Sequence, residues 1–148
     1  MRGLSASRFA VFALATGCAL AAITPGAARA TCDPAFLART DLGLLQSPLL
    51  TEASGIAASR PYPGVLWTHN DSGDPARVFA LNAHGEHLGI YTIAGASNRD
   101  WEDIATGPGP EPGRSYLYIG EIGDNSAVYV TKYIYRLPVM KSWRQRMG

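Results

Sequence analysis

The sequence predicts an all-β fold of short antiparallel strands, and three observations carry that expectation. One pattern is written twice. Glu52-Ala53-Ser54-Gly55-Ile56-Ala57 leads through a Pro/Gly-rich gap to Val65-Leu66-Trp67-Thr68 and the acidic turn His69-Asn70-Asp71-Ser72-Gly73-Asp74. Asp100-Trp101-Glu102-Asp103-Ile104-Ala105 then leads through Gly107-Pro108-Gly109-Pro110-Glu111-Pro112-Gly113 to Tyr116-Leu117-Tyr118-Ile119 and the turn Glu121-Ile122-Gly123-Asp124-Asn125. The offset is 48 residues from Ile56 to Ile104 and 51 from Leu66 to Leu117, the period of a β-propeller blade. Turn signals also recur at the close spacing of an antiparallel meander. Finally, 47% hydrophobic and 17% charged residues describe a globular chain, and 148 residues leave room for one ordinary domain. The expected architecture is about two four-stranded antiparallel blades, an incomplete propeller.

Taken in order, residues 1–30 read as a secretory signal peptide. Arg2 and Arg8 precede an apolar run over 9–23, and Ala28-Arg29-Ala30 is a small-x-small cleavage site before Thr31. About fifteen apolar residues fall short of the roughly 20 that span a bilayer, so a cleaved leader is favoured over an anchor. No stable membrane span is expected after cleavage, and the protein is expected to be secreted, periplasmic or part of the cell envelope. The apolar run continues past Cys18 to Ile23, which argues against a lipid-anchored start there. Cleavage leaves Cys32 alone, and one cysteine cannot close an internal disulfide. Loss of Arg2, Arg8 and Arg29 takes Lys plus Arg from 13 to 10 against 12 acids, near −2, a balance with no nucleic-acid footprint.

Residues 31–50 form a lead-in in which Asp33-Pro34 can open a short helical turn and residues 44–50 can supply a ring-closing strand. The blades occupy 51–138. Strands are expected at 54–58, 65–68, 77–81 and 87–93, with Arg60-Pro61-Tyr62-Pro63-Gly64 as a breaker and Asn82-Ala83-His84-Gly85 as a hairpin turn. The second unit repeats this at 104–105, 116–120 and 128–137, the last long enough for two strands or one bulged strand. Residues 139–148 are a basic tail, expected to be disordered.

The meander also sorts the acids. In an up-and-down blade the connection into the first strand and the turn between the second and third share one end of the sheet. Glu52, Asn70, Asp71, Asp100, Glu102, Asp103, Glu121, Asp124 and Asn125 fall on that end and are the candidate metal ligands. They are hard oxygen donors, of which calcium takes six to eight. Asp and Asn also cap their own turns, so Asp71-Ser72-Gly73 and Asp124-Asn125 have an alternative reading as turn chemistry. His69 ends a strand beside the acidic turn and is the candidate acid, base or ligand, with a packed rim histidine as the alternative. The Pro/Gly turns at 60–64 and 107–113 fall on the opposite, bland end. His84-Gly85-Glu86-His87 reads as a solvated hairpin, because it lacks the helix that presents two histidines to zinc. No serine sits in a nucleophile elbow and no phosphate-binding glycine loop is present. Trp67, Trp101, Tyr116 and Tyr118 read as blade core.

At these residues the chain resembles a family of secreted bacterial six-bladed β-propellers of the TolB-like and WD40-like type. The match lies in Ala53-Ser54-Gly55-Ile56-Ala57, Leu66-Trp67-Thr68-His69-Asn70-Asp71-Ser72-Gly73, Asp100-Trp101-Glu102-Asp103-Ile104-Ala105 and Tyr118-Ile119-Gly120-Glu121-Ile122-Gly123-Asp124-Asn125, and covers roughly residues 50–138. More distantly, the acidic rim is similar to that of calcium-dependent propeller phytases and lactonases, where acids around the central channel hold metal over the substrate. Fold likeness does not settle chemistry. Two functions are therefore expected as alternatives: a non-catalytic secreted module, or remnant of one, that binds a divalent cation or partner, and a calcium-dependent hydrolase of phosphoesters or lactones. Glu121 stands where the family has Asp. The family also continues after Leu137-Pro138 with a Glu-Pro segment and four more blades, so this chain is expected to be the first third of a propeller. Two blades leave bare strand edges, and self-association or the missing blades would be the partner.

Overall fold

The computed structural model describes residues 8–11 and 38–139, and these form nine strands and no helix. No helix among them is long and apolar enough to cross a membrane. Strands β1 (Arg8–Val11) and β2 (Thr40–Leu44) make an antiparallel pair. Strands β3 (Ala53–Ala58), β4 (Val65–Asn70), β5 (Arg77–Asn82) and β6 (His87–Thr92) form a four-stranded meander, with each strand beside its successor. Strands β7 (Trp101–Pro108), β8 (Ser115–Glu121) and β9 (Tyr133–Pro138) form a second, three-stranded meander. The all-β class follows, in two antiparallel meanders beside the β1–β2 pair.

The first sheet matches its expected strands to within a residue or two. The turn at Asn82 closes as predicted, with the Gly85 amide donating to the Asn82 carbonyl (3.1 Å) and the Asn82 amide to Glu86 (3.1 Å). The second sheet has three strands where four were expected. Of residues 128–137, the ladder takes only those from Tyr133 onward. The reason is local: both carboxylate oxygens of Asp124 accept backbone amides, from Val128 and Tyr129 (2.8 Å each). The Ala127 amide turns back to the Asp124 carbonyl (2.9 Å). Amides held this way have no need of a ladder partner, and residues 122–132 become a strap rather than a strand.

Side-chain alternation along the strands sets how the sheets stack. Val65, Trp67, Val78, Ala80 and Tyr91 of the first sheet join Ile104, Leu117, Ile119, Tyr135 and Leu137 of the second in one core. The opposite face of the first sheet presents Leu66, Phe79, Leu81 and Ile90, which pack under Leu45 and Leu50 of the lead-in. Residues 44–50 therefore cap a sheet face and do not extend either sheet. Each fully buried Phe or Leu here contributes about 1.5–3 kcal/mol. The far face of the second sheet is open, with Ile134 62% exposed. Val139, expected to begin the tail, is buried, and its amide donates to the Ser115 carbonyl (2.9 Å). Residues 140–148, Asp33-Pro34 and the expected leader apart from β1 lie outside the described residues.

Strands β3 and β7 run side by side where the sheets meet, and equivalent positions of the two repeats touch. Ser54 Oγ donates to the Glu102 carbonyl (3.2 Å) and Thr106 Oγ1 to the Ala58 carbonyl (3.0 Å). Gly55 permits that approach, since a Cβ there would lie 2.8 Å from the Ile104 amide nitrogen.

Candidate metal centre

Trp101 and Ile104 are three residues apart, yet both are buried. Strict alternation forbids that. The register resolves it: Trp101 pairs with Glu121 and Asp103 with Gly120, so Glu102 is an extra residue at a bulge. A bulge re-aims the side chains beside it. Here it turns Trp101 into the core and leaves Glu102 at the end of the stack, next to Asp100.

Asp71 arrives from the end of β4. One carboxylate oxygen each of Asp71, Asp100 and Glu102 lies within 4.8 Å of the others, so the three could hold a metal ion. Asn98 ties the two chain segments together. Its Nδ2 donates to the carbonyls of Asn70 (3.2 Å) and Asp71 (2.7 Å), and its Oδ1 accepts the Trp101 amide (3.2 Å). The Asp71 amide donates to the Glu52 carbonyl (2.9 Å).

Gly123 closes over the cluster. Its amide donates to the Asp100 carbonyl (3.1 Å), and a Cβ there would come within 2.5 Å of Asp100 Oδ2 and Glu102 Oε1. A side chain there would force the two carboxylates to shift. Burial, then the charge of Asp71 and a hydrogen bond with it, push the Asp100 carboxyl above its ordinary range, while Lys132 pulls the other way. Crowded carboxylates whose charge is not offset behave this way. All-oxygen donors without cysteine suit a hard divalent cation.

The remaining predicted ligands are placed elsewhere or otherwise engaged. Asn70 is buried with its side chain committed to the backbone: Oδ1 accepts the amides of Thr51 (3.0 Å) and Glu52 (3.1 Å), and Nδ2 donates to Leu49 (2.7 Å). Glu121 shares the alternation of Leu117 and Ile119 and so points into the stack, where Arg99 Nε (3.2 Å) and the Tyr135 hydroxyl (2.9 Å) meet its carboxylate. Asp124 pairs with Lys132 (2.8 Å), and that contact, with its two backbone amides, holds its carboxyl below the ordinary range despite burial. Asp103 caps its neighbour Ile104 (2.8 Å). Glu52, Asp103 and Asn125 are exposed.

His69 is fully buried between the sheets, its ring edge-on to Trp101 at 5.6 Å. Its Nδ1 lies 2.9 Å from the Asn70 carbonyl. A carbonyl only accepts, so Nδ1 carries the proton, and Nε2 is left facing Gly55 without a partner among the described residues.

Sequence reasoning missed Asn98, Gly123 and Lys132. Asn98 carried a signal, being an Asx-type capping residue shortly before a predicted strand. Lys132 carried none, for it reaches Asp124 only because the strap folds back. Comparison of the chain with protein-family models, with curated proteins and with solved structures finds no match.

Proposed function

We propose that the chain is a secreted β-propeller module, its two sheets being the first two blades, that binds calcium through Asp71, Asp100 and Glu102. The observation that carries this reading is the convergence of three carboxylates from both repeats on one point, kept open by Gly123. Left bare, these like charges repel. A divalent cation offsets them and ties the end of β4 to the start of β7, so binding couples the two sheets. Further oxygen ligands would come from water or from a partner docked at the same end.

The alternative, a calcium-dependent hydrolase of phosphoesters or lactones, needs a side chain at the cluster that can handle a proton. His69, the residue expected to do so, lies inside the stack with Nδ1 engaged. No observation favours that alternative over binding alone.

Calcium titration followed by thermal melting and calorimetry tests the proposal. A saturable rise in Tm is expected in the parent, reversed by chelator and lost in Glu102→Gln and Asp71→Asn. A parent whose melting ignores calcium, or variants that respond as the parent does, would sink it. Chelator-sensitive turnover of a phosphoester or lactone panel would transfer the assignment to the hydrolase.

A further inference from the structure

The opposite end of the stack, bland in the sequence, holds an open cleft of about 320 Å³ between the β3–β4 turn and the β7–β8 hairpin. Arg60, Pro61, Gly107, Pro108, Gly113, Arg114 and Ser115 line it. Two guanidinium groups thus share one concavity. Arg60 has no ion pair or hydrogen bond among the described residues. Arg114 uses only Nη1, which meets both carboxylate oxygens of Glu111 (2.8 and 2.7 Å), so Nε and Nη2 keep three N–H donors unspent. Ser115 Oγ is buried and has no hydrogen-bond partner among the described residues.

We propose that this cleft binds a small oxyanion, the phosphate or carboxylate group of a small molecule. Planar guanidinium forks match such groups two bonds at a time. Like charges facing each other across a cleft are stabilised by an anion between them, as the carboxylates at the far end are by a cation. Pro61 and Pro108 have fixed φ angles and no amide to satisfy, which gives the cleft rigid walls. Its volume falls at the lower end of small-molecule pockets. Glu111 is the internal competitor, since its carboxylate already occupies one edge of Arg114 and also accepts the Tyr116 hydroxyl (2.9 Å). Strands of six to eight residues separate the two ends by roughly 20 Å at about 3.3 Å per residue, beyond the Debye length of about 8 Å at physiological salt. The cleft therefore works independently of the acid cluster, and it stands whether or not calcium binds there.

The full chain is titrated, in chelator, with inorganic phosphate and with acetate, against chloride at equal ionic strength, by calorimetry and thermal melting. Saturable binding of phosphate or acetate but not chloride is expected, weakened at least tenfold in Arg60→Gln and tightened in Glu111→Gln, which releases Arg114. Binding of phosphate alone assigns a phosphorylated ligand, binding of acetate alone assigns a carboxylate ligand, and binding of both supports the oxyanion site for either group. No saturable binding overturns the proposal, as does binding that Arg60→Gln leaves unchanged. Arg60 is exposed, so that variant is expected to fold, and an unshifted melt without anion confirms it.

Discussion

Where β4 stops and β7 starts, Asp71, Asp100 and Glu102 crowd one another, whereas where β3 stops and β8 starts two arginines, Arg60 and Arg114, share a cleft, with Glu111 on Arg114. The acid end is tied from beneath by buried polar groups, with Asn70 on three backbone atoms of Leu49, Thr51 and Glu52 and Asn98 bridging β4 to β7. The arginine end is tied more lightly, by Thr106 Oγ1 on the Ala58 carbonyl (3.0 Å) and the Tyr116 hydroxyl on Glu111 (2.9 Å). Its one ion pair, Glu111 with Arg114, is 60% exposed on the acid side, and exposed pairs add little stability. The contrast shows where rigidity is placed. Three like charges held within a few ångströms need a stiff support, while a cleft open to solvent can rest on proline and glycine turns.

Trp101 tests the contrast most severely. Its ring is fully buried and touches His69 and Tyr135, so Trp101→Ala should cost about 3–5 kcal/mol and remove the bulge that presents Glu102. Denaturant melts of that variant beside Arg60→Ala, which should stay within about 0.5 kcal/mol of the parent, measure the asymmetry between the ends. Equal costs would show that the acid end is not the stiffer one.

Gly123→Ala acts more locally. The added methyl group overlaps the Asp100 and Glu102 carboxylates, and such overpacking costs about 1–3 kcal/mol. The stabilisation by calcium should vanish in this variant while anion binding at the cleft persists. A retained calcium response would show that the strap yields and that the glycine is not what keeps the centre open.

The smallest effects are in pH, and they run in opposite senses. Asp100 has a raised pKa, so between its ordinary and its folded value the folded chain keeps a proton that the unfolded chain gives up. Without metal, its contribution to stability therefore falls as pH rises through that window, and Asp100→Asn should remove the fall. Glu111 is lowered, by Arg114 first and then by Tyr116. Its contribution is present above the ordinary carboxylate range and is lost as pH drops through the folded value, so Glu111→Gln should lower Tm at neutral pH and not in strong acid. Melts of both variants from pH 3 to 8 in chelator check the two signs, and parallel profiles would contradict them.

Much of this was legible from repetition and alternation. The doubled motif called for two four-stranded meanders, of which the first is complete and the second has three strands, and meander geometry placed Asp71, Asp100 and Glu102 at one end. Glu121 was misjudged because it looks like the first residue of a turn, yet β8 runs through it and alternation carries it inward. The strap was misread because its Val and Tyr residues favour strand, while a single carboxylate, Asp124, takes the amides that a strand would have used. The arginine cleft went unseen because nothing in the sequence shows that a turn in the first repeat and a hairpin in the second share a concavity. The stacking of β3 on β7 decides that, and Gly55 lets the two strands approach so closely.

Strand β9 gives the second sheet a direction of growth. Its inner edge pairs with β8 along its whole length, and its outer edge has no partner among the described residues. Tyr133 and Ile134 are 47% and 62% exposed beside it. Main-chain donors and acceptors carry no side-chain code, so they supply affinity for any strand, while selectivity rests on the side chains flanking the edge. A fourth strand supplied in cis would act at the millimolar effective concentration of a short tether and would outcompete any neighbour. Supplied in trans, it would make the chain's state depend on how much of it is present, so that dilution, more than any change of solvent, selects between the solitary and the joined molecule.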